Sequence, residues 1–396
     1  MKEFGTTGLC ERCGGILQCV YPREALITLR EEREEQGLAK FAPVLPIEEA
    51  FIPYLGECET PLLPSRVIAK DLGLGNLYFK DESRNPTGSF KDRGISVSIG
   101  VALRTKAKGV MTVSSGNGAA SLAAYAAAFQ LPCLVLVDGR VSTRKLQQIA
   151  YLGAKCIKIK GIFERGFETL SHLIAEVSHS LDYWCAFSWA PINPYSLEGT
   201  KTIAYECAWL KPDVVICPVA GGDNLAGQWK GYRELCEAGV IEKEPKMIGI
   251  QPRGSSPLVL AFKNRSNHVT PIEEAKTVVS GLKTTFSGDH ALRALYESGG
   301  CALEVDDEET LKQKEFLAQS EGIWVETSSA VTLAALPALL EAGIINPEEK
   351  LICVLTGAGY KEDIDIDMGK SIDIAEFDSH DIIERYFKLR AWKAGH

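Results

Sequence analysis

Asn85-Pro86-Thr87-Gly88-Ser89-Phe90-Lys91-Asp92-Arg93-Gly94 is the most chemically informative run in this chain of 396 residues. It opens on turn formers, passes an aromatic residue and closes on alternating charges, the composition of a strand-to-helix connection. From spacing alone, Lys91 reads as a solvated lysine at a helix start. Its apolar neighbour Phe90 opens a second reading, because an amine partly removed from water loses proton affinity and becomes a nucleophile.

On either side of this run, short β-branched segments alternate with amphipathic helical patterns. They fall at 77–80, 109–113, 134–137, 156–159, 214–218, 247–251 and 351–356. That alternation predicts an α/β fold with mostly parallel sheets, and the length allows two packed domains. Three of the predicted strands run straight into glycine-rich loops: Ser114-Ser115-Gly116-Asn117-Gly118, Ala220-Gly221-Gly222-Asp223-Asn224 and Thr356-Gly357-Ala358-Gly359. Parallel sheets bind ligands at such strand ends.

Positions 86–94 resemble the Schiff-base motif of the threonine synthase family of fold-type II pyridoxal 5'-phosphate (PLP) enzymes. In that family the lysine of Pro-Thr-Gly-Ser-Phe-Lys-Asp-Arg-Gly holds the cofactor. The likeness extends from about residue 60 to 361. Gly56-Glu57-Cys58-x-Thr60-Pro61-Leu62 is similar to the family's opening Gly-Glu-Gly-x-Thr-Pro-Leu, and Asn193-Pro194-Tyr195-x-Leu197-Glu198-Gly199-x-Lys201-Thr202 and Trp229-Lys230-Gly231-Tyr232 follow in the family's order.

The resemblance implies a tryptophan-synthase-β-like fold of two domains. An N-terminal arm (1–60) precedes a large PLP-binding domain (61–93 and 192–370). A small mobile domain (94–191) closes on substrate, and a tail (371–396) ends the chain. It also implies that Lys91 is catalytic and that Phe90, Lys91, Asn117, Ala220, Gly221, Gly222, Asp223, Asn224 and Thr356 contact the cofactor. Asn117 would meet its hydroxyl, the 220–224 loop its phosphate and Thr356 its pyridine nitrogen. Ser114, Ser115, Gly116, Asn117 and Gly118 would hold the substrate carboxylate. Without Lys91, these features read as a serine N-cap, an ordinary Gly-Gly turn and an isolated threonine.

Four departures from the family pattern fall where substrate and phosphate are read. Gly118 stands in place of a threonine, and Ser196 replaces the arginine that grips the substrate phosphate, a charge serine cannot supply. Ala190 falls where the family has an asparagine. Asp223 interrupts a loop that resembles Gly-Asn-Gly-Gly-Asn, and an acid beside a phosphate is repulsive unless it points away or is paired. The expectation is elimination or replacement at the β- or γ-carbon of a small, O-activated amino acid other than O-phosphohomoserine. The alternatives are threonine synthase itself and a catalytically altered binding or regulatory homologue.

Composition narrows the setting. There are 43 basic and 52 acidic side chains for a net charge of −9, with no basic run to follow a phosphate backbone, so nucleic acid is not an expected partner. No segment approaches the roughly 20 apolar residues of a membrane span, and a cytoplasmic enzyme is expected; the family resemblance adds a homodimer. The twelve cysteines read mostly as reduced core residues. Cys10-x-x-Cys13 with Cys19 lacks a fourth ligand for zinc. The six histidines form no metal-binding pair, Ser142-x-x-Lys145 is too short to mark a hydrolase, and Asp363-x-Asp365-x-Asp367 reads as a solvated acidic turn.

Overall fold

The computed structural model describes residues 8–114, 116–139, 146–160 and 166–362. The acidic run at 363–367, the tail from 371, the Ser142-x-x-Lys145 pattern and Ser115 lie outside them.

Among the described residues, ten strands form two sheets. They are β1 (Leu62–Pro64), β2 (Asn76–Asp81), β3 (Gly109–Val113), β4 (Cys133–Asp138), β5 (Lys155–Ile159), β6 (Tyr183–Cys185), β7 (Val214–Pro218), β8 (Lys246–Pro252), β9 (Cys301–Val305) and β10 (Lys350–Leu355). The larger sheet has the order β1-β2-β10-β7-β8-β9 and the smaller β5-β4-β3-β6. Every pairing is parallel except β1 with β2. All seven segments read from the β-branched pattern are strands. The pattern missed β1, β6 and β9, of which β1 and β6 have three residues each, too few to display alternation.

The central strands β3, β7 and β10 are buried along their length except Lys350, as expected when helices cover both faces of a parallel sheet. The helix Lys91–Thr105 joins the two sheets. Its Ile95, Ile99 and Ala102 pack with Val110 of β3 and with Leu122 and Tyr125, while Val97 and Val101 pack on Leu38, Leu45 and Ile47. The first sixty residues therefore supply core, contrary to their loop-like composition. The charged stretch at 30–35, whose composition predicts a solvated helix, is not one. A single 3-10 turn, Thr28–Arg30, ends there, because Arg30 reaches across to the Ala238 carbonyl and Arg33 to Glu35 and Glu49.

Two buried ion clusters hold the arm and this helix in place. Arg93, fully buried, donates to Glu82 at 2.7 and 2.8 Å and to Glu206 at 2.7 and 2.8 Å, and Lys80 donates to Glu206 and to the Thr60 carbonyl. In the second, Lys201 lies 2.8 Å from Glu198 and 2.9 Å from Glu234. The arm joins it: Tyr21 donates to Glu198 at 2.9 Å, and Lys230 donates to the Cys19 carbonyl. The Leu197-Glu198-Gly199-x-Lys201 and Trp229-Lys230-Gly231 motifs thus act as a clamp. Each cluster balances two cations against two anions, which limits the desolvation cost of burial.

This arrangement fixes the sign of one pH effect. Burial pushes the Glu206 carboxyl up, but Arg93 and Lys80 hold it down to about 2, below its ordinary 4.5. A depressed acid contributes stability above its unfolded value and loses it as pH falls toward the folded one. The urea midpoint should fall between about pH 5 and pH 3, with a shallower fall in Glu206→Gln; equal slopes would refute the assignment.

Candidate active site

Since β2, β10 and β7 are adjacent and parallel, their C-terminal ends share one edge of the large sheet. The chain after β2 leads to Lys91, after β10 to Thr356 and after β7 to Ala220. Backbone bonds stitch the first two together: Phe90 N–H donates to Thr356 O at 3.0 Å and Ala358 N–H to Gly88 O at 2.9 Å. In the smaller sheet, β3 and β6 are likewise neighbours, which brings Ser114 and the 186–190 segment to one edge.

The two edges meet at Lys91. Its Nζ donates to Ser188 Oγ at 2.9 Å and stands 4.7 Å from the centre of the Phe90 ring. Burial lowers the pKa of the amine, and the carboxylates of Asp223 and Glu326 partly oppose this. A methyl placed on Gly118 would sit 3.5 Å from Ser188 Oγ and 3.6 Å from Ser114 Oγ. Gly118, Ser114, Ser188 and Lys91 therefore border one small space. The helix Asn117–Ala128 starts there with no side-chain cap, leaving first-turn N–H groups for an anion.

The 220–224 loop is fixed by its carbonyls. Ala220 O accepts from Ser287 Oγ at 2.6 Å, and Gly221 O from Gly288 N–H at 2.8 Å and from Trp189 Nε1 at 3.2 Å. Gly222, at φ 107°, turns the chain into the helix Asp223–Ala238. A Cβ on Gly221 would lie 2.8 Å from the Trp189 ring, and one on Gly222 would lie 2.6 Å from Ala291 Cβ; only glycine fits at either position. Asn224 Nδ2 is buried without a partner. Asp223 Oδ1 accepts from Ala190 N–H at 2.6 Å and lies 3.6 Å from His290 Nε2, so one oxygen of the acid is engaged.

Thr356 Oγ1 donates to Glu326 Oε1 at 2.9 Å and lies 3.1 Å from Ser329 Oγ. The other oxygen of the same carboxylate, Oε2, accepts from Asn117 Nδ2 at 2.8 Å. Glu326 N–H is held on Gly357 O at 2.9 Å.

Lys91, Phe90, Ser114, Gly116, Asn117, Gly118, the 220–224 loop and Thr356 thus lie on two facing strand edges. Ser196 does not join them: it is buried, and its hydroxyl donates to Asn193 O at 3.1 Å within its own turn. Ser188, Glu326 and His290 were not foreseen. An acid directly before the hydroxyl run Thr327-Ser328-Ser329 was the available signal for Glu326, whereas Ser188 and His290 carry none. All twelve cysteines are free, with Cys58, Cys207, Cys217 and Cys353 buried and Cys13 exposed. Among the described residues no three His, Cys, Asp or Glu side chains are grouped to hold a metal, and no helix is long and apolar enough to cross a membrane.

The Gly221-Gly222 turn, the open first turn of a 16-residue helix, an orphaned buried amide and a desolvated lysine fit a phosphate-bearing aldehyde. Residues 54–357 match the model of the family described as pyridoxal-phosphate dependent enzymes. The threonine synthase of Methanocaldococcus jannaschii is 39% identical over 365 residues, 89% of this chain and 88% of its own length. That of Methanosarcina acetivorans is 36% identical over 89% of this chain and 87% of its own. Among solved structures, maize serine racemase superimposes with a TM-score of 0.65 at 22% identity, over 79% of this chain and 90% of its own. The serine racemase of Dictyostelium discoideum gives 0.63 at 23%, over 78% and 94%. The chain belongs to the threonine synthase family of pyridoxal-phosphate dependent enzymes. Its fold is the fold-type II, tryptophan-synthase-β-like α/β architecture.

Proposed function

We propose that the chain catalyses PLP-dependent elimination or replacement at the β- or γ-carbon of a small amino acid whose oxygen-linked leaving group is not phosphate. The observation that carries this reading is Lys91, whose buried amine on Ser188 Oγ faces the ends of β7 and β10. When bound, PLP supplies an electron sink for the substrate's α-carbon.

The chain's own residues supply the rest. Lys91 Nζ, held neutral more readily by burial, would hold the cofactor, and the same amine would move the proton at the substrate's α-carbon. Ser188 Oγ orients that nitrogen. First-turn N–H groups at Asn117 and Gly118 bind the substrate carboxylate. The backbone of the 220–224 loop, with Asn224 Nδ2, would hold the cofactor's phosphate, while Asn117, Thr356 and Glu326 would frame its ring. Residues 94–191 serve as a small domain that closes over the substrate and excludes water. A cytoplasmic homodimer is the setting the family resemblance implies.

Where the family places an arginine and an asparagine for the substrate phosphate, this chain has Ser196, turned into its own helix, and Ala190. Losing a buried partner of a charged group costs roughly 2–5 kcal/mol. Turnover of O-phospho-L-homoserine to threonine and phosphate should therefore be on the order of a hundredfold or more below that of O-acetyl or hydroxy analogues. Comparing kcat/KM across that panel decides it, and efficient threonine formation would restore the threonine synthase reading.

A further inference from the structure

Ala190 and Asp223 are a matched pair of departures. The resemblance places an asparagine at 190 and a glycine at 223; here the side chain has moved to the opposite wall, and the Asp223 carboxylate reaches across to accept from Ala190 N–H at 2.6 Å. The exchange changes the chemistry as well as the position. An amide donates and accepts, whereas a carboxylate only accepts and carries negative charge.

The carboxylate lies close to the reacting centre. Ser188 is on Lys91 Nζ and Ala190 is on Asp223, and two residues span at most about 7 Å. Only Oδ1 takes a hydrogen bond among the described residues; Oδ2 is open. A second observation marks the spot as a ligand site. His290, 7% exposed, has neither ring nitrogen hydrogen-bonded, and its Nε2 is aimed at Asp223 Oδ1 from 3.6 Å. Trp189 and Phe286, with ring centres 4.6 Å apart, close the wall beside Gly221.

We infer that Asp223 Oδ2 reads the far end of the substrate side chain, and that it selects a hydrogen-bond donor, a hydroxyl or an ammonium, and rejects O-phosphate. The inference rests on the proposed function and narrows its substrate class. A phosphate would bring negative charge against a carboxylate with no arginine to offset it, while a donor completes the acceptor left open.

Holoenzyme is titrated with L-homoserine, L-2,4-diaminobutyrate, O-phospho-L-homoserine and, as a reference lacking a terminal group, L-2-aminobutyrate. Binding is followed by the shift of the cofactor's visible band. L-homoserine, L-2,4-diaminobutyrate or both should bind about tenfold or more tighter than the reference, and O-phospho-L-homoserine no tighter than it; which of the two gains tells hydroxyl from ammonium. The double variant Ala190→Asn/Asp223→Gly should lose the donor preference and bind O-phospho-L-homoserine about tenfold better than wild type. No preference for a donor overturns the inference and leaves the proposed function standing, whereas tight wild-type binding of O-phospho-L-homoserine overturns the inference and the exclusion of phosphate with it. No band shift with any amino acid removes both. The wild-type preference decides even if the double variant fails to fold.

Discussion

Replacing Lys91 with alanine should abolish the visible band of PLP-loaded protein and reduce turnover by about a thousandfold or more, because one nitrogen both carries the cofactor and moves the proton. The side chain is half-buried and Nζ makes one hydrogen bond, to Ser188 Oγ, so the variant should fold with near-normal stability. Spectra before and after loading, with a urea curve to confirm folding, separate the chemical role from a structural one. A band that persists in Lys91→Ala would place the cofactor's attachment elsewhere.

Two positions along the same helix, the expected result is reversed. Arg93→Met should leave the reacting groups in place chemically yet destabilise the fold by roughly 3–5 kcal/mol, since it leaves Glu82 and Glu206 to share Lys80 as the one remaining cation of the cluster. The loss should appear as a lower urea midpoint. Adding Glu206→Gln should recover part of it by removing one uncompensated charge, although Lys80 then loses its close partner. A double variant no more stable than Arg93→Met would mean that the guanidinium contributes packing rather than charge balance.

The contrast shows what the sequence could reveal. Residues 86–94 mark Lys91 as the candidate cofactor lysine, and the β-branched runs locate seven of the strands, because burial on both faces leaves a local compositional trace. Glu326 is different. It reaches Asn117 and Thr356 from a third segment, and its partners are set by how β3 and β10 are brought together. Ser188 and His290 follow the same rule: a serine and a histidine have no period, and their meaning arises from neighbours about a hundred residues away for Ser188 and at the start of a separate helix, Asp223, for His290. Asp223 was legible as an anomaly. What resolved it was the Ala190 N–H, a backbone group that no side-chain pattern can announce.

Burial of the arm was hidden for a related reason. Leu26, Leu38, Val44 and Ile47 are each buried, but turns and prolines separate them, so no periodic stripe forms. Glu198 and Lys230 belong to motifs that resemble the family's and gave no hint that they serve the arm.

The pairing of β2 with β10, Asn76 opposite Lys350 and Asp81 opposite Leu355, has a consequence for the protein's synthesis. The strand that leads into Lys91 leaves the ribosome early, yet its neighbour is among the last described segments to be made. Tyr21 must likewise wait for Glu198, 177 residues later. Contacts of such long range make folding slow and leave apolar strand edges exposed in the nascent chain. The candidate cofactor site should therefore assemble only once synthesis has passed β10, with apolar strands uncovered until then.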